Sequence, residues 1–380
     1  MSFTFYEFFA GGGMARVGLG PAWRCAFAND VDAVKARAYA ANHGSGALVV
    51  GDVRKIAASE LPGRVDLAWA SFPCQDLSLA GKGSGLDGAR SGTFWAFCTL
   101  MRTLAVARRA PRIIALENVT GVLTSKDGQD FATLIDAIAS LGYRVGALVV
   151  DAIDYVPQSR PRLFVIAVAD DVTIPASALA AGPTPRHPEA MLAARGKLSH
   201  VATRRWVWWN LTRIDAPRRR LADVIEASPG GVAWHSEEET RYLLSLMSPR
   251  NRAKVAAERA RGDRRVGAVY RRTRRTADGE RAQRAEVRFD GVSGCLRTPG
   301  GGSSRQTILI VEGNSLRSRL LAPREAARLM GLPDSYLLPD RYNQAYHLLG
   351  DGVVAPIVRH LATEIIEPAL SDGGSRRAIA

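Results

Sequence analysis

Short apolar runs, each closing on a turn or an acidic residue, recur through the first half of the chain. Phe3–Phe9 ends in Ala10-Gly11-Gly12-Gly13, Cys25–Ala28 in Asn29-Asp30, and Ala47–Val50 in Gly51-Asp52. Val65–Ala70 ends in Ser71-Phe72-Pro73-Cys74, and Ile113–Leu116 in Glu117-Asn118-Val119. Runs of four to eight apolar residues bounded by turn signals read as buried strands. Between them lie stretches that read as helices: Met14–Leu19, Phe94–Arg108, which Pro111 stops, and Phe131–Ala139, which Gly142 ends. Buried strands alternating with helices predict an α/β fold with an open sheet, and such sheets place ligands at the carboxyl ends of their strands. Those ends are where this chain keeps its chemistry-bearing residues.

A glycine-rich turn between a first strand and a helix lets backbone approach a cofactor closely. Gly11-Gly12-Gly13 is not the full G-x-G-x-x-G, and by itself it is equally a plain tight turn. Asp30 follows Gly11 by 19 residues, an offset that suits the hydroxyls of a ribose. Together these ends point to a nucleoside-containing cofactor without saying which one. Pro73 takes the chain out of the sheet and leaves Cys74 at a strand end. A cysteine is a nucleophile only as thiolate, and a free thiol has pKa about 8.5, so a reactive site must draw off its proton; the bland alternative is a small buried hydrophobe. The glycine-rich loop 81–92 that follows is too polar for a core and suits a closing lid. Glu117 at its strand end is either a cap or ion-pair partner, or a general acid. Arg160 and Arg162 have alternate spacing, so on an extended segment they share a face and suit a carboxylate or phosphate, or else a solvated edge.

These motifs, in this order, resemble the DNA (cytosine-5)-methyltransferases from Phe5 to about Leu361, apart from a variable middle region. Glu7-Phe8-Phe9-Ala10-Gly11-Gly12-Gly13 is similar to that family's S-adenosylmethionine loop, Pro73-Cys74-Gln75 to its nucleophile motif and Glu117-Asn118-Val119 to its second catalytic motif. Gln158-Ser159-Arg160-Pro161-Arg162 is similar to its Gln-x-Arg-x-Arg, and the helix 320–333 to its Arg-Glu motif. The resemblance implies a Rossmann-like S-adenosylmethionine-dependent domain with a smaller target-recognition domain. It implies Cys74, Glu117 and Arg162 as catalytic residues, with Arg160 as support. It implies a cofactor site of Phe9, Ala10, Gly11, Gly13, Asp30, Asp52, Pro73 and Asp351, with Phe9 on the adenine ring, Asp30 on the ribose and Asp52 on the adenine amino group. The chain departs from the family at Leu349-Gly350-Asp351-Gly352-Val353-Val354, where Asp351 and Gly352 replace the commoner Asn and Ser. The first motif stands almost at Met1, which suits the compact prokaryotic form.

Composition limits the partners. Net charge is +14, and residues 186–305 hold 26 Lys+Arg against 13 Asp+Glu, an excess of 13. Arginine outnumbers lysine 45 to 6, which suggests coding bias, but bias would not confine the excess to one segment. A field this local is the footprint of a phosphate backbone. Arginines interleave there with aromatics, in Arg204-Arg205-Trp206-Val207-Trp208-Trp209 and in 259–275 with Tyr270; the tryptophans read as core rather than contact surface. A second glycine-rich segment, 292–304, suits DNA phosphates or a long turn equally. The pattern loosens at 170–188, so the expected domains are 1–170 with 341–380, catalytic, and 171–340, target-recognising. The end, 371–380, reads as a disordered tail. Four cysteines without a Cys-x-x-Cys pair argue against a disulfide framework or a metal site and suit a reducing cytoplasm. No apolar run reaches the about 18 residues of a membrane span. The expected partner is duplex DNA, read by a cytoplasmic, nucleoid-associated monomer, with a cognate restriction endonuclease acting on the same site. The rivals are a tRNA cytosine methyltransferase, an inert DNA-binding protein and, weakly, a nicotinamide dehydrogenase.

Overall fold

The structure, a computed structural model, describes residues 2–72, 92–214, 219–275, 279, 281–297 and 305–371. Pro73, Cys74, most of the loop 81–92, the tail 372–380 and the end of the second glycine-rich segment lie outside the described residues. The chain divides into two compact units: residues 1–151, 161–214 and 353–380, and residues 152–160 and 215–352.

The first unit is built on a seven-stranded sheet. Its strands are β1 (Phe3–Phe8), β2 (Trp23–Asp30), β3 (Leu48–Val50), β4 (Leu67–Ala70), β5 (Ile113–Val119), β6 (Tyr143–Asp151) and β7 (Pro161–Ala169). Their order is β3-β2-β1-β4-β5-β7-β6. All pairings are parallel except those of β7, which runs antiparallel to both β5 and β6. Alternation along the strands aims Tyr6, Phe8, Ala68, Ala70, Ile114 and Leu116 at one core. The helices Gly92–Val106 and Gln129–Ala139 fill it with Phe94, Phe97, Met101, Leu104, Phe131, Leu134 and Ile138. The chain order reverses between β1 and β4, so a crevice opens outside their carboxyl ends, the usual ligand position in such sheets.

The expected boundary near 170 falls elsewhere. Residues 171–214 pack with the first unit along β6, the last strand of the sheet. Val149 N donates to Arg186 O at 2.8 Å, Val207 N to Val145 O at 3.0 Å, and Trp209 Nε1 to Ile166 O at 3.1 Å. The proline-rich stretch where the boundary is expected is instead a strap over an open sheet edge, which would otherwise leave strand amides and carbonyls unpaired. Trp206 and Trp209 are buried in this unit, as core residues.

The second unit carries an antiparallel sheet of β8 (Arg265–Arg275), β9 (Arg281–Arg288), β10 (Thr307–Glu312) and β11 (Ser315–Leu320), ordered β11-β10-β8-β9. Val269, Ala285, Val287, Leu309 and Val311 on one face meet Leu243 and Val255 of the helices Glu237–Ser245 and Pro249–Arg261. In the Arg-Glu helix, Pro323–Leu329, Glu325 is fully buried and takes two hydrogen bonds from Arg319, at 2.7 and 2.8 Å, and one from Ala322 N at 2.8 Å.

Candidate active site

The end of β1 turns sharply. Phe9 and Gly11 both have φ 55° and Gly13 has φ 76°; for Phe9 this is a sparsely populated conformation of the kind that clusters at functional sites. Ala10 N donates to Asn29 O, and Gly13 N closes the turn on Ala10 O at 2.8 Å. Asp30, buried at the end of β2, accepts from Gly11 N at 2.7 Å and from Asp32 N at 2.8 Å. Burial raises its carboxyl pKa above the usual range. A Cβ on Gly11 would meet nothing within 4 Å, so open space lies beside this turn. On Gly13 it would meet His43 at 2.5 Å and Tyr39 at 2.9 Å, so only glycine fits there. Burial, then Arg16, holds His43 down at about 4, so it is neutral at pH 7. Asp52, after β3, caps the turn Val53–Lys55 through Arg54 N and binds the Arg54 guanidinium, which holds its pKa down to about 2.

Beneath the turn lies Glu7, 1% exposed. Its Oε1 accepts from Arg16 N at 3.4 Å, while Oε2 has no hydrogen-bond partner. Burial pushes its pKa up to about 8, so it carries a proton at neutral pH. The sequence shows Glu7 as a lone acid inside an apolar run, a signal to which the motif reading assigns no role.

The exit of β4 is pinned on three sides. Ser71 N donates to Phe8 O, Trp69 Nε1 to Ser71 Oγ at 3.1 Å, and Asn118 Nδ2 to Phe72 O at 3.5 Å. Asn118 is buried, and its Oδ1 also accepts from Val119 N at 2.8 Å. Its position inside the Glu-Asn-Val motif was visible, its hold on the chain just before Cys74 was not. Ala70 pairs with Leu116, so Glu117 stands one residue beyond the end of β4. Glu117 is buried and lies 3.2 Å from Arg162 Nε. Arg162 stands at the start of β7, whose antiparallel course brings that start to the carboxyl end of β5, opposite Val119.

Arg160 does different work. It is 1% exposed, in the second unit, and donates to Leu296 O at 2.8 Å, Gly350 O at 2.9 Å and Gly352 O at 2.7 Å. A solvated edge does not describe it; it ties together backbone carbonyls of the second unit. Asp351 is exposed at the end of the helix Tyr342–Asp351. Burial pushes the thiols of Cys25 and Cys98 up to about 11 and about 12, so neither is a thiolate at neutral pH. Among the described residues no group of three or more His, Cys, Asp or Glu is placed to hold a metal ion, and no helix is long and apolar enough to cross a membrane.

Comparison with known proteins bears on this geometry. The profile of the C-5 cytosine-specific DNA methylase family matches residues 3–367. The type II methyltransferase M.NlaX of Neisseria lactamica is 26% identical, with 99% of each chain covered. M.HhaI of Haemophilus parahaemolyticus is 25% identical over 95% of this chain and 93% of its own. Among solved structures, the Entamoeba histolytica methyltransferase EhMeth superposes with TM-score 0.62 at 14% identity, covering 98% of this chain and 99% of its own. The S. pombe Dnmt2 methyltransferase gives TM-score 0.57 at 15% identity, covering 97% and 99%.

Proposed function

The chain belongs to the C-5 cytosine-specific DNA methylase family, and on that premise we propose that Cys74, Glu117 and Arg162 are the groups with which it methylates cytosine. It is an S-adenosylmethionine-dependent DNA (cytosine-5)-methyltransferase with a Rossmann-like fold. What supports the assignment of residues is the pairing of buried Glu117 with half-buried Arg162, 3.2 Å apart at the carboxyl end of β5, next to the strand that leads to Cys74.

Phe9, Ala10, Gly11, Gly13, Asp30 and Asp52 hold the cofactor. The open side of Gly11 admits it, and the carboxylates at the ends of β2 and β3 suit hydroxyl and amino donors. When bound, S-adenosylmethionine supplies an electrophilic methyl group. The target base leaves the stack at a cost of a few kcal/mol. Cys74 adds as thiolate to C6 of the cytosine, which makes C5 electron-rich. Glu117 donates a proton to N3 and neutralises the charge that this addition develops. Arg162 holds the carbonyl edge of the base. Once C5 carries the methyl group, loss of the C5 proton to a base lets the Cys74–C6 bond break, which returns the thiolate, and N3 gives its proton back to Glu117.

The second unit reads a specific duplex sequence, the enzyme acts as a monomer beside the nucleoid in the cytoplasm, and a restriction endonuclease shares its site. Cys74→Ser abolishes methyl transfer while leaving the thermal unfolding curve unchanged. On DNA carrying 5-fluorocytosine the wild type forms a denaturant-resistant adduct through residue 74. Near-normal kcat in the serine variant, or no adduct, rejects the assignment. Methyl incorporation into duplex DNA and not into tRNA separates this reading from RNA methylation.

A further inference from the structure

The β8–β9 pair outruns its sheet. β10 pairs with β8 only from Arg265 to Val269, whereas β8 and β9 stay in register to Arg275 opposite Arg281. Residues 270–275 and 281–286 therefore form a two-stranded ribbon beyond the reach of β10, anchored at its base where Ala285 is buried and its N donates to Leu246 O. At ~3.3 Å per residue its six paired positions extend about 20 Å. Their composition is extreme: six arginines (271, 272, 274, 275, 281 and 284) against one acid, Glu286. The register sets arginine opposite arginine at 272 and 284, and again at 275 and 281.

Like charges directly opposite one another destabilise an antiparallel pair. Arg271, Arg272 and Arg284 are exposed, so burial in the hydrophobic core does not account for them. Arg272 sits over the Tyr270 ring and 3.8 Å from Glu286, the one carboxylate among the described ribbon positions. What relieves such a pair is an anion outside the chain. A two-stranded ribbon also has the section that the major groove of B-DNA admits, about 12 Å wide and about 8.5 Å deep.

We infer that this ribbon is the element of the second unit that docks on duplex DNA, with Arg272 and Arg284 holding backbone phosphate from its two strands. The inference rests on the methyltransferase reading for its partner and adds which residues seat the duplex. Phosphate contacts position a protein without carrying sequence information.

The test is Arg272→Gln with Arg284→Gln, read by fluorescence anisotropy on a 30-base-pair duplex of random sequence from low to moderate salt. Two lost phosphate contacts lower the slope of log K against log salt by about 1.8. Affinity falls by the same factor on random and methylatable duplexes, and the cytosines methylated in a plasmid, mapped by bisulfite sequencing, stay the same. The paired replacements Arg272→Lys and Arg284→Lys keep the wild-type slope, because a phosphate accepts a point charge while bidentate base reading needs the guanidinium fork. Without DNA, Tm of the glutamine variant equals or exceeds the wild type, since a repulsion has been removed. An unchanged slope in the glutamine variant overturns the inference. So does a loss confined to the methylatable duplex, a changed set of methylated cytosines, or a failure of lysine to sustain binding. If the wild type forms the 5-fluorocytosine adduct while the slope ignores these substitutions, the ribbon alone is refuted. If the wild type binds no duplex, the functional reading itself falls.

Discussion

Glu7→Gln tests the protonation of the buried carboxyl beneath the Gly11-Gly12-Gly13 turn. A glutamate with an ordinary pKa of 4.5 is held up to about 8 by burial in the native chain. Between those two values the unfolded chain has released the proton and the native chain keeps it. Stability therefore falls as pH rises, by about 1.4 kcal/mol per pH unit, and the fall levels off above about pH 8. Taken over the whole interval the effect amounts to about 5 kcal/mol. Glutamine keeps an oxygen for Arg16 N and does not titrate. Its amide puts unmatched donors where Oε2 now lies, at a pH-independent cost of about 1–3 kcal/mol. The intercept is thus uninformative and the slope carries the result. Urea unfolding at pH 5, 6, 7 and 8 gives a variant-minus-wild-type difference that rises steadily in favour of the variant. A difference that stays flat over that range means that Glu7 is ionised in the native protein, and the account of its burial is wrong.

Two further substitutions probe the scaffold. Gly13→Ala drives a Cβ to 2.5 Å from His43 at a φ of 76°, so it costs about 1–3 kcal/mol of strain and weakens S-adenosylmethionine binding by calorimetry. Equal affinity in the variant would show that the turn tolerates a side chain. Arg160→Ala leaves the carbonyls of Leu296, Gly350 and Gly352 without this donor, so chemical denaturation finds the second unit destabilised by about 3 kcal/mol or more. A loss under about 1 kcal/mol would reassign Arg160 from structural tie to bystander.

The motifs and the sheet were legible because each depends on local pattern. Apolar runs closing on Asp30, Asp52 and Glu117 mark strands whose ends bear polar groups whatever their neighbours are. The strand read at 65–70 is β4 at Leu67–Ala70, and the helix read at 131–139 is that of Gln129–Ala139. Neighbour relations were not legible in the same way. Arg160 and Arg162 stand two residues apart, and alternation alone puts them on one face. Which partners they meet is set by tertiary packing, which buries Arg160 among carbonyls far along the chain and pairs Arg162 with Glu117, 45 positions before it. Strand order decides this: β7 enters antiparallel between β5 and β6, and no pattern within β7 encodes which strand it will lie beside. The strap 171–214 makes the same point. Its prolines break regular structure, as composition says, but the open edge of β6 and the core beside the helix Gln129–Ala139, which takes in Met191, Ala194 and Ala202, make it part of the first unit. A segment's own residues dictate what it must bury and where it must turn. The partner it buries against is chosen by the free energy of the whole packed sheet, which no short window of sequence contains.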